Sequence, residues 1–134
     1  ADSNVIKHIN VVLPKLKKGN KIQLHSINFY GDMDVCLPSA TATLKRLYKI
    51  MKKNPKLNIE IEGHTNGCSS GVTFSQILSD NRAKRIKLYL TDKKIDASRI
   101  STIGYNCSRM LYPNMETEHK QMLNRRVEIL VTSY

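Results

Sequence analysis

Arg82 carries a permanent positive charge on the side of a helix that ought to be buried. The stretch "ILSDNRAKRIKLYL" places Leu78, Ile86, Tyr89 and Leu90 along one stripe, and Arg82 lies four residues from both Leu78 and Ile86. A planar guanidinium grips a carboxylate through two parallel hydrogen bonds, so a partly desolvated arginine on such a stripe points to an anionic partner. The first turn of the same helix, near Ser75, leaves backbone N–H groups without intrahelical acceptors and favours a negative group as well. The competing reading is an internal ion pair with Asp80, Asp32 or Asp34. If the partner is a ligand, Arg82 should be removable without loss of the fold.

Other chemistries find little support. Cys36, Cys68 and Cys107 are an odd number and lack the paired C-x-x-C spacing of zinc sites, so no metal and no cofactor is expected. His64 and Cys68 are four apart but straddle Gly67 after a strand, which removes helical i, i+4 ligation. His64 is expected to be a packed, hydrogen-bonded strand residue. Nucleophile, base and orienting group do not recur at spacings that would assemble them, and no carboxylate pair flanks an evident cleft; the reading is a binding protein, not an enzyme.

The elements that must position Arg82 follow from periodicity. "LPSATATLKRLYKIMKKNP" puts Leu44, Leu47, Tyr48 and Met51 on one helical face, with Pro38 at the start and Asn54 and Pro55 as a stop. "LNIEIEG" alternates Leu57, Ile59 and Ile61 against Asn58, Glu60 and Glu62, the period of a half-buried strand. A second helix is predicted over about 75–91, strands over 99–106 and 125–134, and a mainly irregular stretch over 107–120 with room for a short helix. Upstream, "INVVLPKLKKGNKIQLHSINFY" reads as an extended hairpin turning at Lys18, Gly19 and Asn20. Helices alternating with strands imply an α/β sandwich, helices on one face of a mixed sheet.

The chain has 134 residues, which suits one domain with a core of its own. No apolar run reaches the roughly 18 residues that cross a bilayer. The chain opens "ADSNVIKH", without an initiating Met, and so reads as a processed chain or a fragment of something longer. Its formal charge of +11, from 22 basic and 11 acidic residues, calls for an anionic setting such as nucleic acid, a lipid surface or a cell-wall polymer. A nucleic-acid-binding domain is therefore one alternative, helped by six tyrosines, but no RNP-like run, zinc module or recognition helix accompanies the charge.

Four ordered motifs, "GHTN", "LSDNRA", "RISTIGYN" and "NRRVEI", together resemble the OmpA-like domain, a peptidoglycan-binding module of bacterial envelope proteins. The resemblance covers residues 20–134, with residues 1–19 as a lead-in similar to that of Bacteroidetes-type members. It implies a β-α-β-α-β-β chain folded into a sheet of order 1-4-2-3, in the periplasm and associated with the outer membrane. It also implies non-covalent binding of the diaminopimelate residue of a peptidoglycan stem peptide, with envelope proteins as further partners and nucleic acid not expected. Arg82 matches the arginine that grips a ligand carboxylate. Asn66 stands where the family usually has an Asp that receives the ligand's ammonium, 16 residues before Arg82, one more than in some members. Tyr30, Gly31 and Asp32 match a loop that offers backbone groups; Thr65, Asn124 and Arg125 match positions near the same end, and Ser75 stands where the family often has Asn. Lys94 stands where a glycine usually ends the second helix. The family sheet order would also bring Cys68 and Cys107 to the same end of neighbouring strands, as a disulfide that leaves Cys36 free. The departure at Asn66 keeps open a scaffold that has lost its ligand and serves as an interaction module.

Overall fold

The alternating strand does what its period demands. Leu57, Ile59 and Ile61 are buried, and the intervening Glu60 and Glu62 face the opposite side of the sheet. In the computed structural model, which describes residues 16–114 and 116–134, the chain forms β1 (Ile27–Asn28), α1 (Ala40–Lys53), β2 (Asn58–Gly63), α2 (Val72–Asp92), β3 (Ile100–Gly104), α3 (Glu118–Asn124) and β4 (Arg126–Ser133). The sheet order is β1-β4-β2-β3, with β2 and β3 parallel and β4 antiparallel to both neighbours. Ala40, Leu44, Leu47 and Met51 of α1 and Ala83, Ile86 and Leu90 of α2 close one core with Ile59, Ile61, Val127, Ile129 and Val131 of the sheet.

Two elements differ from the sequence reading. The helix expected over 75–91 begins three residues earlier, at Val72, behind Gly71 with φ +100°, and α3 occupies Glu118–Asn124, later than most of the stretch that was expected to be irregular. The first arm of the expected hairpin lies in residues 1–15, outside the described residues. The turn itself is present, with Gly19 at φ +90° and the Asn20 amide donating to Lys17 O. The following arm pairs with β4, through Gly19 N to Val131 O, Val131 N to Asn20 O and Ile22 N to Ile129 O. Leu16 and Ile22 are buried with the core.

The helix ends are closed by side chains and by one unusual cap. Asn54 stops α1 with both its amide N–H and its side-chain Nδ2 on Ile50 O, and Arg99 donates to the carbonyls of Met51, Asn54 and Leu57 around the same end. Lys94 takes the left-handed position after α2, φ +72°, with its amide on Thr91 O and that of Ile95 on Leu90 O. These are the two bonds of a Schellman cap, and buried Ile95 supplies the apolar contact that accompanies it. The glycine expected at Lys94 is thus not required for the cap to form.

The buried face of α2 is unusually small: Ser75, Ser79 and Ala83 line it beside Arg82, Ile86 and Leu90. It lies against Gly63 and Gly104, which are register partners in β2 and β3. A Cβ at Gly63 would stand 2.0 Å from Ser79 O, and one at Gly104 2.6 Å from the Asp80 amide. That close approach brings Arg82 beside the carboxyl end of β2. Gly63→Ala should therefore force the helix off the sheet and cost about 3 kcal/mol, read as a lower urea midpoint with an unchanged slope. Stability equal to wild type would show that the helix does not need this approach.

Candidate functional site

At the carboxyl ends of β1 and β2 lies a pocket of about 250 Å³. The loop after β1 gives it Gly31 and Asp32, the loop after β2 gives Thr65, Asn66, Gly67, Ser69 and Ser70, and the first turns of α2 give Phe74, Ser75, Leu78 and Arg82. Gln121 of α3 and Arg125, just before β4, close the remaining side.

Arg82 is 1% exposed and finds no carboxylate partner among the described residues. Its Nε donates to Met33 O at 2.9 Å, Nη1 to His64 O at 2.9 Å and Nη2 to Tyr30 O at 3.0 Å, while the guanidinium lies over the Phe29 ring at 5.2 Å. Neither reading from sequence is complete: the internal pair with Asp80, Asp32 or Asp34 does not form, and Asp34 pairs with Arg85 at 3.1 Å. The expectation that Arg82 touches only a ligand is also corrected, because it ties the β1–α1 loop to the end of β2. Of the five guanidinium N–H groups, three are accounted for by these carbonyls among the described residues, and the side chain also lines the pocket. Carbonyl dipoles do not neutralise a charge. Burial and then the neighbouring Arg125 charge push the Arg82 pKa down to about 10, against the pull of Asp32 and Asp34, so it stays protonated at neutral pH.

The other expected site residues divide into those on the pocket and those behind it. Thr65 and Ser75 both lie on it, and both hydroxyls donate to Gly67 O, at 3.1 and 3.0 Å. Both hydroxyl protons are thus spent on holding the loop. The Ser75 amide is bonded to Gly71 O, so the free N–H groups of α2 belong to Val72, Thr73 and Phe74, one turn earlier than expected. Asn66 lines the pocket with its Oδ1 accepting from Asn124 Nδ2 at 2.9 Å. Asn124 is fully buried, bonded also to the Tyr112 amide and carbonyl, and positions Asn66 without reaching the pocket. Tyr30 contributes its carbonyl to Arg82, and its half-exposed ring is not part of the lining. Arg125 does reach the pocket, with Nε on Phe29 O and Nη2 paired with exposed Glu118 at 2.8 Å.

Sequence reasoning missed Phe74 and Gln121 and the serines of the β2–α2 loop. Phe74 had a signal, because Phe74, Leu78 and Arg82 follow one another at i, i+4 and i+8 on one helix face. Gln121 had none, since α3 was not located. His64 is corrected as well. It is 1% exposed and stacked on Tyr105 at 5.6 Å, but neither ring nitrogen has a hydrogen-bond partner among the described residues.

Cys68, in the loop after β2, is bonded to Cys107, in the loop after β3, with Cα atoms 5.7 Å apart; Cys36 is free. The bridge fastens the wall that carries Asn66, Gly67, Ser69 and Ser70. Closing a loop with a sequence separation of 39 restricts the unfolded chain by about 4 kcal/mol in the entropic model. The Cys68→Ser, Cys107→Ser double variant should lose about 2–4 kcal/mol in denaturant titration. A loss below 1 kcal/mol would mean the bridge constrains little.

A four-stranded 1-4-2-3 sheet under two helices, with a buried arginine at the pocket behind β1 and β2, defines the class. The OmpA family model matches residues 28–130, and the chain belongs to the OmpA family. It is 35% identical over 105 residues to outer membrane porin F of Pseudomonas fluorescens, covering 78% of this chain and 32% of the porin. It is 29% identical over 123 residues to the peptidoglycan-associated lipoprotein of Buchnera aphidicola, covering 88% of this chain and 64% of that protein. Among solved structures it is similar to the peptidoglycan-associated lipoprotein of Burkholderia pseudomallei, with a TM-score of 0.70, 19% identity and coverage of 79% and 88%. The chain spans less than two thirds of the length of these two curated relatives.

Proposed function

We propose that this domain binds peptidoglycan without covalent chemistry, through the free end of the diaminopimelate residue of a stem peptide, and so anchors an envelope protein of the periplasm and outer membrane to the cell wall. The observation that carries the reading is the Arg82 guanidinium at the pocket, buried, charged and without a counter-ion among the described residues. A carboxylate entering the pocket would meet the Arg82 guanidinium with Arg125 nearby, and would supply the negative charge that the fold leaves out. The ammonium on the same carbon would find Asp32 and the lone pairs of Thr65, Ser75 and Asn66. The disulfide suits an oxidising compartment, and the lead-in suits a Bacteroidetes-type parent.

Calorimetry with a diaminopimelate-containing peptide, beside pulldown on purified peptidoglycan, tests this. Arg82→Ala should lose binding by about 2–3 kcal/mol and lose about 3 kcal/mol of stability, since it gives up ligand and carbonyls together. Two charge changes separate the roles. Asp32→Asn, at an exposed residue of φ +54° that Asn also tolerates, should weaken binding by about 1 kcal/mol, and Asn66→Asp should tighten it by about as much, both effects shrinking as salt rises. A folded wild type that binds neither peptide nor peptidoglycan would leave a scaffold that acts as an interaction module.

A further inference from the structure

On the side of the sheet away from α1 and α2, strand alternation and register bring three metal-ligand side chains together. Glu62 and His64 are two residues apart and so point the same way, and Glu128 is the register partner of Glu62 across β2 and β4. The His64 amide continues that ladder by donating to Arg126 O. One ligand atom from each of Glu62, His64 and Glu128 lies within 4.8 Å of the others. Glu62 and His64 are 2% and 1% exposed, and both His64 nitrogens lack hydrogen bonds among the described residues.

A buried imidazole with neither nitrogen bonded costs stability that a folded chain ordinarily recovers through a partner. The partner in reach here is two carboxylates, which accept and do not donate. Lys21 supplies a cation: its Nζ is 3.3 Å from Glu62 Oε1 and also contacts Glu128. Together with Arg126, which pairs with Glu128, it balances the charge of the two acids but leaves the histidine lone pair unused. Arg126 holds the other oxygen of Glu128 at 2.6 Å and orients it.

We propose that Glu62, His64 and Glu128 form a binding site for a divalent transition-metal ion of the zinc type, with the Lys21 ammonium as the group that holds the two carboxylates when no ion is bound. One nitrogen and two carboxylate oxygens leave a fourth, tetrahedral position for water or a partner's ligand. Bonds of about 2.0–2.2 Å set ligand atoms about 3.4 Å apart, so a small side-chain rotation closes the site. Lys21, half-exposed, can swing into solvent. The site is separate from the pocket, and the proposal does not rest on peptidoglycan binding.

The test is a ZnCl2 titration of the disulfide-bonded chain by calorimetry, in a Cys36→Ser background that removes the free thiol, with Co2+ absorption as a second readout of coordination. One equivalent of zinc should bind. Glu128→Gln and His64→Gln should each weaken binding by about tenfold or more, and Lys21→Met should tighten it about fivefold by removing the competing cation. Glu128 is partly exposed, so its variant keeps the test valid if the histidine variant fails to fold. Zinc binding by neither wild type nor Lys21→Met would overturn the proposal, as would binding that Glu128→Gln leaves unchanged.

Discussion

Three backbone carbonyls, from Tyr30, Met33 and His64, converge on one guanidinium, and the pocket exists because they do. Two of them lie in the loop after β1 and the third at the end of β2, so without Arg82 those carbonyls would have no common donor. Carbonyls orient the charge but do not cancel it. The arginine is thereby fixed in place at the pocket lining, stripped of most of its water and still charged, an arrangement that favours an anion.

The helix–sheet contact makes that position reachable. Gly63 and Gly104, opposite Ser79 and Asp80, let α2 approach β2 and β3 more closely than any side chain at those strand positions would allow. The disulfide then fixes the β2–α2 loop to the β3 side, and Asn124 fixes Asn66 from behind. The last two constraints act on the same wall, the loop that carries Asn66, and the helix–sheet contact sets the wall opposite, so the fold itself holds the pocket's shape.

Strong periodicity made α1 and β2 legible in the sequence, down to the Asn54 stop, because a 3.6-residue or two-residue repeat records which face is buried. The buried face of α2 was harder to read: Ser75, Ser79 and Ala83 are buried for their smallness, which a search for apolar residues does not register. Arg82 stood out as a contradiction of its stripe, but its three carbonyl partners come from 18, 49 and 52 residues away and leave no local trace. Asn124 carried a family motif yet serves behind the pocket, since motif position does not say which way a side chain faces. The Glu62, His64 and Glu128 cluster depends on β2–β4 register, which only the fold supplies.

The central claim is that one guanidinium holds two loops and also receives the ligand. NMR of the arginine side-chain N–H groups during titration with a diaminopimelate-containing peptide tests it most directly. The account predicts that the Arg82 Nη resonances shift and slow in exchange while Nε–H, bonded to Met33 O, stays nearly fixed. Saturable peptide binding that moves other residues and leaves every Arg82 resonance in place would contradict it.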